Sequence, residues 1–516
     1  MSGLTEEIFL YDRVIKKDYD YKMWFFFPGP ESFAMSSLGY LWLFKAIDQL
    51  DDIDIERVYS DSKTTRIMRH DISLIGISNS FDMDFLEILK FLEWNKLEFK
   101  AKDRDENSPL IFAGGPVITS NPEPYKEIFD FMIIGDGENV NLEVVKLCKD
   151  NRTKSKAEIL QLLSEIEGVY VPSVKQSEVK KVTKKLSECI FTPILSEKSF
   201  FSNTFIIEIE RGCANRCGFC LASYINLPIR FVPYEKIIEA IDLGLKHTNK
   251  IALLGAQLTA HPRFEDICAY IGNRIDNGEN IEMSVSSLRV DSFKPEIINT
   301  LVKAGQKNLT LAIEAGSERL RKVINKNLTE EQIYSAIDAA VACDLKGIKF
   351  YGMLGIPTET DDDIQEIIEL SKRIKKKHKS FDISFGFSTF VPKAQTPFQW
   401  LGRESEKTLD KKIKYLTKEL RKLGIQINVS SCKWDYYQAV LSRGDSRLTD
   451  YIIEVYKLGG KAGSFKKAAK NLKIDTDYYA LNTYNYTEKL PWENIIMRPG
   501  KEFLIEESQR LLNFLP

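Results

Sequence analysis

Three thiols in one short stretch are the residues of this chain best suited to do chemistry. Cys213, Cys217 and Cys220 stand in Phe205-Ile-Ile-Glu-Ile-Glu-Arg-Gly-Cys-Ala-Asn-Arg-Cys-Gly-Phe-Cys220, with three and then two residues between them. The apolar, β-prone run 205–209 leads in, and Arg211-Gly212 ends it, so the thiols occupy a loop leaving a strand end. Cysteine thiolates bind iron–sulfur clusters, and three at this spacing can hold three irons of a cubane. No fourth cysteine is near; the next is Cys268. One iron is then left open to a small chelating ligand. A structural zinc site asks for four protein ligands, commonly as two CxxC-like pairs, and no second pair follows. Three unrelated buried thiols are the remaining reading.

Composition narrows the setting. A chain of 516 residues predicts roughly two to four domains at about 100–200 residues each. Its 43% hydrophobic and 28% charged residues are ordinary for a soluble globular protein. A net charge of −2 excludes the whole molecule as a polyanion binder and argues against nucleic acid as a partner. No apolar run approaches the ~18 residues of a membrane helix, and the opening Met-Ser-Gly-Leu-Thr-Glu-Glu7 lacks the regions of a signal peptide. Eight cysteines, three of them clustered, fit a reducing compartment better than a disulfide framework. The expectation is a cytoplasmic protein without a transmembrane segment, with peripheral membrane contact left open.

The elements that must position the thiols follow from pattern. Residues 1–165 alternate buried strands (21–27, 72–78, 110–113, 131–134) with helices (36–49, 83–94), which predicts a parallel, doubly wound α/β sheet. Ligands bind beyond the carboxyl ends of such strands. Two of those ends are Gly114-Gly115-Pro116 and Gly135-Asp136-Gly137-Glu138; their glycines either admit a large ligand close to the backbone or simply make tight turns. Residues 166–203 read as a connector, with a short strand at 168–172, an exposed hairpin at 175–187 and Cys189 as a structural thiol. From 204 to 400 six strands (205–209, 251–254, 281–287, 309–313, 348–354, 381–391) alternate with helices. Such a barrel carries its chemistry at the carboxyl ends of its strands. Residues 401–516 are mostly helical, with 21 basic and 15 acidic residues. Lys461, Lys466, Lys467, Lys470 and Lys473 form one basic cluster, either a solvated face or the seat of an anionic partner.

CxxxCxxC after a strand, with the aromatic Phe219 before the third Cys, resembles the signature of the radical S-adenosylmethionine (SAM) superfamily. The resemblance implies a partial (β/α)6 barrel and a 4Fe-4S cluster whose open iron is chelated by the amino and carboxylate groups of SAM. It also implies cleavage of SAM to a 5′-deoxyadenosyl radical, and a reduced ferredoxin or flavodoxin-type electron donor. Residues 1–165 resemble the cobalamin-binding-type Rossmann-like domain of one branch of that superfamily, through Gly114-Gly115-Pro116, Asn121-Pro122-Glu123-Pro124 and Gly135-Asp136-Gly137-Glu138. Ser78, Gly114 and Gly115 would then face the corrinoid. Phe390-Val-Pro-Lys-Ala-Gln-Thr-Pro-Phe-Gln-Trp400, Trp434-Asp-Tyr-Tyr437 and Leu441-Ser-Arg-Gly-Asp445 match the same branch, so the resemblance covers nearly the whole chain. One departure concerns the cofactor. Many such domains carry DxHxxG, whose His ligates cobalt, but Pro28-Gly-Pro-Glu-Ser-Phe33 has no His, and His70 stands just before a strand. Either cobalamin binds without a protein His or the fold persists without it. A methylthiotransferase-type N-terminal domain would carry its own three-Cys cluster, whereas Cys148 stands alone here.

Residue by residue, the resemblance puts Gly255-Ala256-Gln257 where the family often has Gly-Gly-Glu, whose backbone receives the amino group of SAM. Ser284, Ser286 and Arg289 would hold its carboxylate, Glu314 its ribose hydroxyls, and residues 352–355 would flank the adenine. Arg211 and Arg216 would offset cluster charge. Residues 390–400 would line a substrate cavity or plug the barrel. The expected activity is hydrogen abstraction from an unactivated carbon leading to C–C bond formation: methylation with cobalamin, ring closure without. Archaeal members of this branch include enzymes that cyclise membrane-lipid isoprenoid chains, so a lipid stands beside a small molecule as the expected substrate. A non-catalytic iron–sulfur protein for electron transfer or sensing is the alternative.

Overall fold

The computed structural model describes residues 7–13, 21–62, 72–286 and 288–513; His70 and the opening six residues lie outside them. Strands β1 (Lys22–Phe27), β2 (Asp54–Tyr59), β3 (Leu74–Ser78), β4 (Leu110–Gly114), β5 (Phe131–Ile133) and β6 (Val169–Tyr170) form one sheet in the order β2-β1-β3-β4-β5-β6. Every neighbouring pair is parallel except β5 with β6. The central strands are apolar on both faces because helices cover both. Helices α1 (Leu38–Asp48) and α3 (Gly137–Asp150) pack on Phe25, Leu74, Phe112 and Phe131. On the other face, α2 (Phe85–Trp94) packs on Trp24, Phe26, Ile75 and Ile77, together with C-terminal residues such as Tyr451 and Phe465. The doubly wound N-terminal domain expected from the pattern is present.

The connector is not the exposed hairpin expected at 175–187. Val179–Lys180 pairs in parallel with Ile495–Ile496, and Val182 bridges to Gly135. Val179 is buried, and an apolar residue of that kind needs a sheet or core partner, which the C-terminal segment provides.

The second unit is a curled parallel sheet in two halves. An antiparallel edge strand, β7 (Ile190–Phe191), precedes β8 (Phe205–Glu208), β9 (Lys250–Leu254) and β10 (Glu282–Val285). The other half is β11 (Asn308–Glu314), β12 (Gly347–Leu354), β13 (Asp382–Thr389) and β14 (Gln426–Val429). A parallel bridge between Leu288 and Leu311 links the halves. The six expected strands are there, and β14 adds a seventh from the segment read as helical. Phe205, Ile207, Ile251, Leu253, Leu311, Phe350 and Phe385 share one core with the flanking helices. Strand side chains alternate between faces, so Glu208, Leu254, Ser284, Lys349 and Tyr351 belong to the concave inner face. Helix α1 presses Leu38 and Trp42 onto that face against Ile190, Ile206 and Ala252. No helix among the described residues is long and apolar enough to cross a membrane.

Gly115 shows why a glycine stands at the end of β4. Its φ is +119°, and an added Cβ would collide with the backbone carbonyl of Asn79. At Gly114 the nearest atom to an added Cβ is 3.7 Å away. Gly115→Ala is therefore expected to destabilise the domain by about 1–3 kcal/mol, the scale of backbone strain, while Gly114→Ala stays near wild type; denaturant unfolding of the two variants checks this. Equal stabilities would remove the steric argument.

Candidate active site

After β8 the chain makes a two-residue pairing, Glu210–Arg211 with Arg230–Phe231, and turns at Gly212, φ +93°. The thiol loop follows. Cys213 and Cys217 are buried, Cys220 is half-buried, and none is in a disulfide. Glu314 and Cys213 bear on both Cys217 and Cys220 as like charges, so all four share one neighbourhood. Burial pushes the Cys217 thiol up to about 12 and raises Cys220 as well. Among the described residues no three His, Cys, Asp or Glu side chains converge on a single-ion point; a cubane, liganded at separate corners, asks for a wider spread. Three free thiols on one sheltered loop fit a [4Fe–4S] cluster by donor chemistry. Asn215 adds a polar contact, with Nδ2 3.5 Å from Cys213 Sγ.

Two segments grip the loop. Gly218 N–H donates to Ile324 O at 3.1 Å, and Phe398 N–H donates to Gly218 O at 3.1 Å. A side chain at Gly218 would meet Leu511 and Phe398 at 2.8 Å. Asn325 Nδ2 donates to Asn215 O at 2.8 Å and to Arg216 O at 3.1 Å. Phe219 packs beside Leu320, Phe390, Phe398 and Leu511. The run 390–400 thus seals the thiol loop: Phe398 and Trp400 are fully buried.

The SAM-binding candidates gather around the thiols. Glu314 ends β11 at a register shift with φ +64°. Its loop is held by Arg321, which is fully buried and donates to Ala315 O at 2.9 Å, Gly316 O at 2.6 Å and Leu328 O at 2.6 Å. Arg289 faces Cys213 and Cys217 electrostatically; its Nε and Nη2 bind Asp291 at 2.9 and 2.8 Å, and its Nη1 has no partner among the described residues. That free edge suits a ligand carboxylate. Ser286 Oγ is committed to Gly255 O at 2.8 Å. Gln257 serves the thiol loop: its Oε1 accepts from Asn215 and lies 3.8 Å from Cys213 Sγ. Glu210 holds the Gln257 N–H, and burial pushes its carboxyl up to about 7. Lys326 escaped the reading of the sequence; it is buried, with Nζ 3.3 Å from Glu314 Oε1.

Arg211 does not serve the thiols as expected. Arg211 forks onto Glu208 at 2.9 and 2.8 Å and reaches Asp136 at 2.9 Å and Glu138 at 2.8 Å in the N-terminal domain. Burial alone would raise the Asp136 carboxyl, but Arg211 and Arg230 outweigh it and hold it below the usual carboxylate range. Arg216 lies over the Phe503 ring at 5.5 Å. Three carboxylates around one cation draw Arg211 away from the loop.

Ser78, Gly114 and Gly115 lie apart from the thiols, at the carboxyl edge of the N-terminal sheet, where Ser78 pairs with Gly114. Between that edge and the barrel is a crevice of about 350 Å³, lined among others by Trp42, Gly115, Gly135, Glu138, Arg211 and Leu254. Among the described residues no His lines it. It offers a corrinoid no His ligand, so both expectations, cobalamin bound without a protein His and a fold without cobalamin, stand.

Known proteins resemble the chain along these same units. Residues 39–172 match the model for the N-terminal region of radical SAM proteins, and residues 207–371 match the radical SAM superfamily. An uncharacterised protein of Methanocaldococcus jannaschii is 31% identical over 480 residues, covering 91% of this chain and 98% of that protein. This chain belongs to the radical SAM superfamily. The cluster and SAM that its donor set fits are accordingly its cofactors. A threonylcarbamoyladenosine tRNA methylthiotransferase of Aquifex aeolicus is 26% identical over a third of the chain and 42% of its own length. Among solved folds, the radical SAM methyltransferase TsrM from Kitasatospora setae, with cobalamin and a [4Fe-4S] cluster bound, superposes with a TM-score of 0.51 at 11% identity, over 71% of this chain and 75% of that one. The cobalamin-dependent SAM radical enzyme OxsB gives 0.50 at 13% identity, over 96% and 80%.

Single Cys213→Ala, Cys217→Ala and Cys220→Ala variants of this radical SAM protein are each expected to lose most cluster iron and sulfide after anaerobic reconstitution. Cys189→Ala and Cys268→Ala, altered outside the loop, should keep wild-type stoichiometry. Iron and acid-labile sulfide analysis reads the contrast, and full loading of a loop variant would contradict the ligand set.

Proposed function

We propose that this chain is an enzyme that removes hydrogen from an unactivated carbon and ends in C–C bond formation. The observation that carries the reading is the three-thiol loop with no fourth cysteine, ringed by the free edge of Arg289 and the carboxylate of Glu314. A cluster and SAM bound there supply a 5′-deoxyadenosyl radical, the species that abstracts hydrogen. The chain's own residues bind and shield: Arg289 takes a carboxylate, Glu314 accepts from two ribose hydroxyls, and Phe398 with Leu511 keeps water from the loop. The electron comes from a reduced ferredoxin or flavodoxin-type donor.

Methyl transfer is supported by the fold shared with TsrM, a methyltransferase solved with cobalamin. A second reading is ring closure without a corrinoid, in keeping with a crevice that no His lines among the described residues. An apolar substrate, such as an isoprenoid lipid chain, suits the inner face, where Leu254 and Tyr351 stay 41% and 39% exposed.

The test is mass-spectrometric detection of nucleoside products from reconstituted protein with SAM, reductant and lipid extract, with and without cobalamin. 5′-Deoxyadenosine in both conditions supports hydrogen abstraction with ring closure. 5′-Deoxyadenosine with S-adenosylhomocysteine, only when cobalamin is present, supports methylation. Neither product from fully loaded protein would instead favour an electron-transfer or sensing role.

A further inference from the structure

The segment after helix Glu318–Val323 carries a cation that the expected SAM contacts do not use. Lys326 is 8% exposed, and Glu314 Oε1 is its ion-pair partner at 3.3 Å. Its backbone is fixed at both ends of the peptide: Lys326 N–H donates to Arg321 O at 2.7 Å, and Lys326 O accepts from Arg289 Nη2 at 3.1 Å. Flanking Asn325 and Asn327 both have positive φ, 58° and 50°, so the chain turns tightly around this residue. The same turn holds the thiol loop through Ile324 O and Asn325 Nδ2.

We propose that Lys326 is a positioning residue of the radical site: its buried ammonium fixes the Glu314 carboxylate and supplies, with Arg289, positive charge beside the thiolate-bound cluster. Burying an ammonium is costly unless it is paired. Lys326 and Glu314 keep only 10% and 14% of their side-chain surface exposed, so the pair needs a reason to be buried. The neighbouring thiols provide one. Cys217 Sγ lies 3.9 Å from Asn325 O, one residue before Lys326. Cys213, Cys217 and Cys220 become three negative ligands when they bind iron, and Lys326, Glu314 and Arg289 are the charged side chains placed against them. Arg211 is not available for that task, since Asp136, Glu138 and Glu208 hold its guanidinium. A cation held beside a cluster favours its more negative, reduced form, and Lys326 therefore raises the reduction potential. Its grip on Glu314 also keeps that carboxylate where ribose hydroxyls would meet it. This second effect rests on the ribose role proposed for Glu314; the first does not.

The experiment uses the full chain with its cluster reconstituted, in wild-type, Lys326→Met, Lys326→Arg and Glu314→Gln forms. Two quantities are read: the cluster midpoint potential by redox titration followed by electron paramagnetic resonance without SAM, and the SAM dissociation constant by equilibrium dialysis. Lys326→Met is expected to load iron as wild type, to show a more negative midpoint, and to bind SAM at least fivefold more weakly. Lys326→Arg should restore most of both. Should Lys326→Met fail to load, Glu314→Gln gives the independent reading: the ammonium is then no longer neutralised, and the midpoint should become more positive. A loaded Lys326→Met protein with wild-type midpoint and affinity overturns the proposal, as does an unmoved midpoint in Glu314→Gln. Wild-type SAM affinity in Glu314→Gln, with the midpoint moved, contradicts the ribose role alone and leaves the charge role supported.

Discussion

Gly218 is held by its backbone from two directions, and the rest of the site depends on that grip. A loop hanging from the end of one strand has no sheet to shape it. Here Ile324 O takes the Gly218 N–H, and Phe398 N–H takes its carbonyl. One partner belongs to the turn after the fourth barrel strand, the other to the segment after the sixth. The thiol loop therefore closes the curled sheet across its open edge, and the thiols keep their spacing only while both halves of the barrel stay in register. The absence of a side chain at Gly218 is what lets Phe398 and Leu511 approach, so that dry cover and loop shape come from the same residue.

Charge is partitioned around that grip. The strongest cation on the loop's entrance strand, Arg211, spends its guanidinium on Glu208, Asp136 and Glu138 and so ties the N-terminal domain to the barrel. Beside the thiol loop stand Arg289 and Lys326, both anchored by backbone and carboxylate partners. Arg321, without solvent exposure, stitches the Glu314 loop to the turn that bears Lys326 by donating to three carbonyls. Arg321 Nη2 alone of its donors stays buried without a partner.

Much of this was legible because it was local. The Cys213–Cys220 spacing, the apolar run before it and the β–α alternation are short-range patterns, and the doubly wound sheet and six barrel strands follow from them. Strand β2, Asp-Ile-Glu-Arg-Val-Tyr, went unread because an edge strand with one wet face looks like a charged linker. Strand β14 is four residues long with polar side chains at alternate positions, too brief for a periodic signal. The connector was misread because pairing with Ile495–Ile496 spans more than 300 residues, a distance no local pattern reports. At Gly115, expected to face a corrinoid, the backbone of Asn79 is what an added Cβ would meet. Lys326 and Arg321 look in sequence like any solvated charge; a turn flanked by two asparagines was the one available hint, and it says nothing of where an ammonium points.

An open iron that SAM would chelate between Arg289 and Glu314 is the central proposal. The most direct measurement is electron–nuclear double resonance on the reduced, cluster-loaded protein, with SAM labelled at its amino nitrogen and carboxylate oxygen. Direct chelation predicts hyperfine coupling from both labels to the cluster spin, lost when SAM is omitted. Saturating labelled SAM that binds without either coupling would contradict it, and the three thiols would then hold a cluster that does not engage SAM through an open iron.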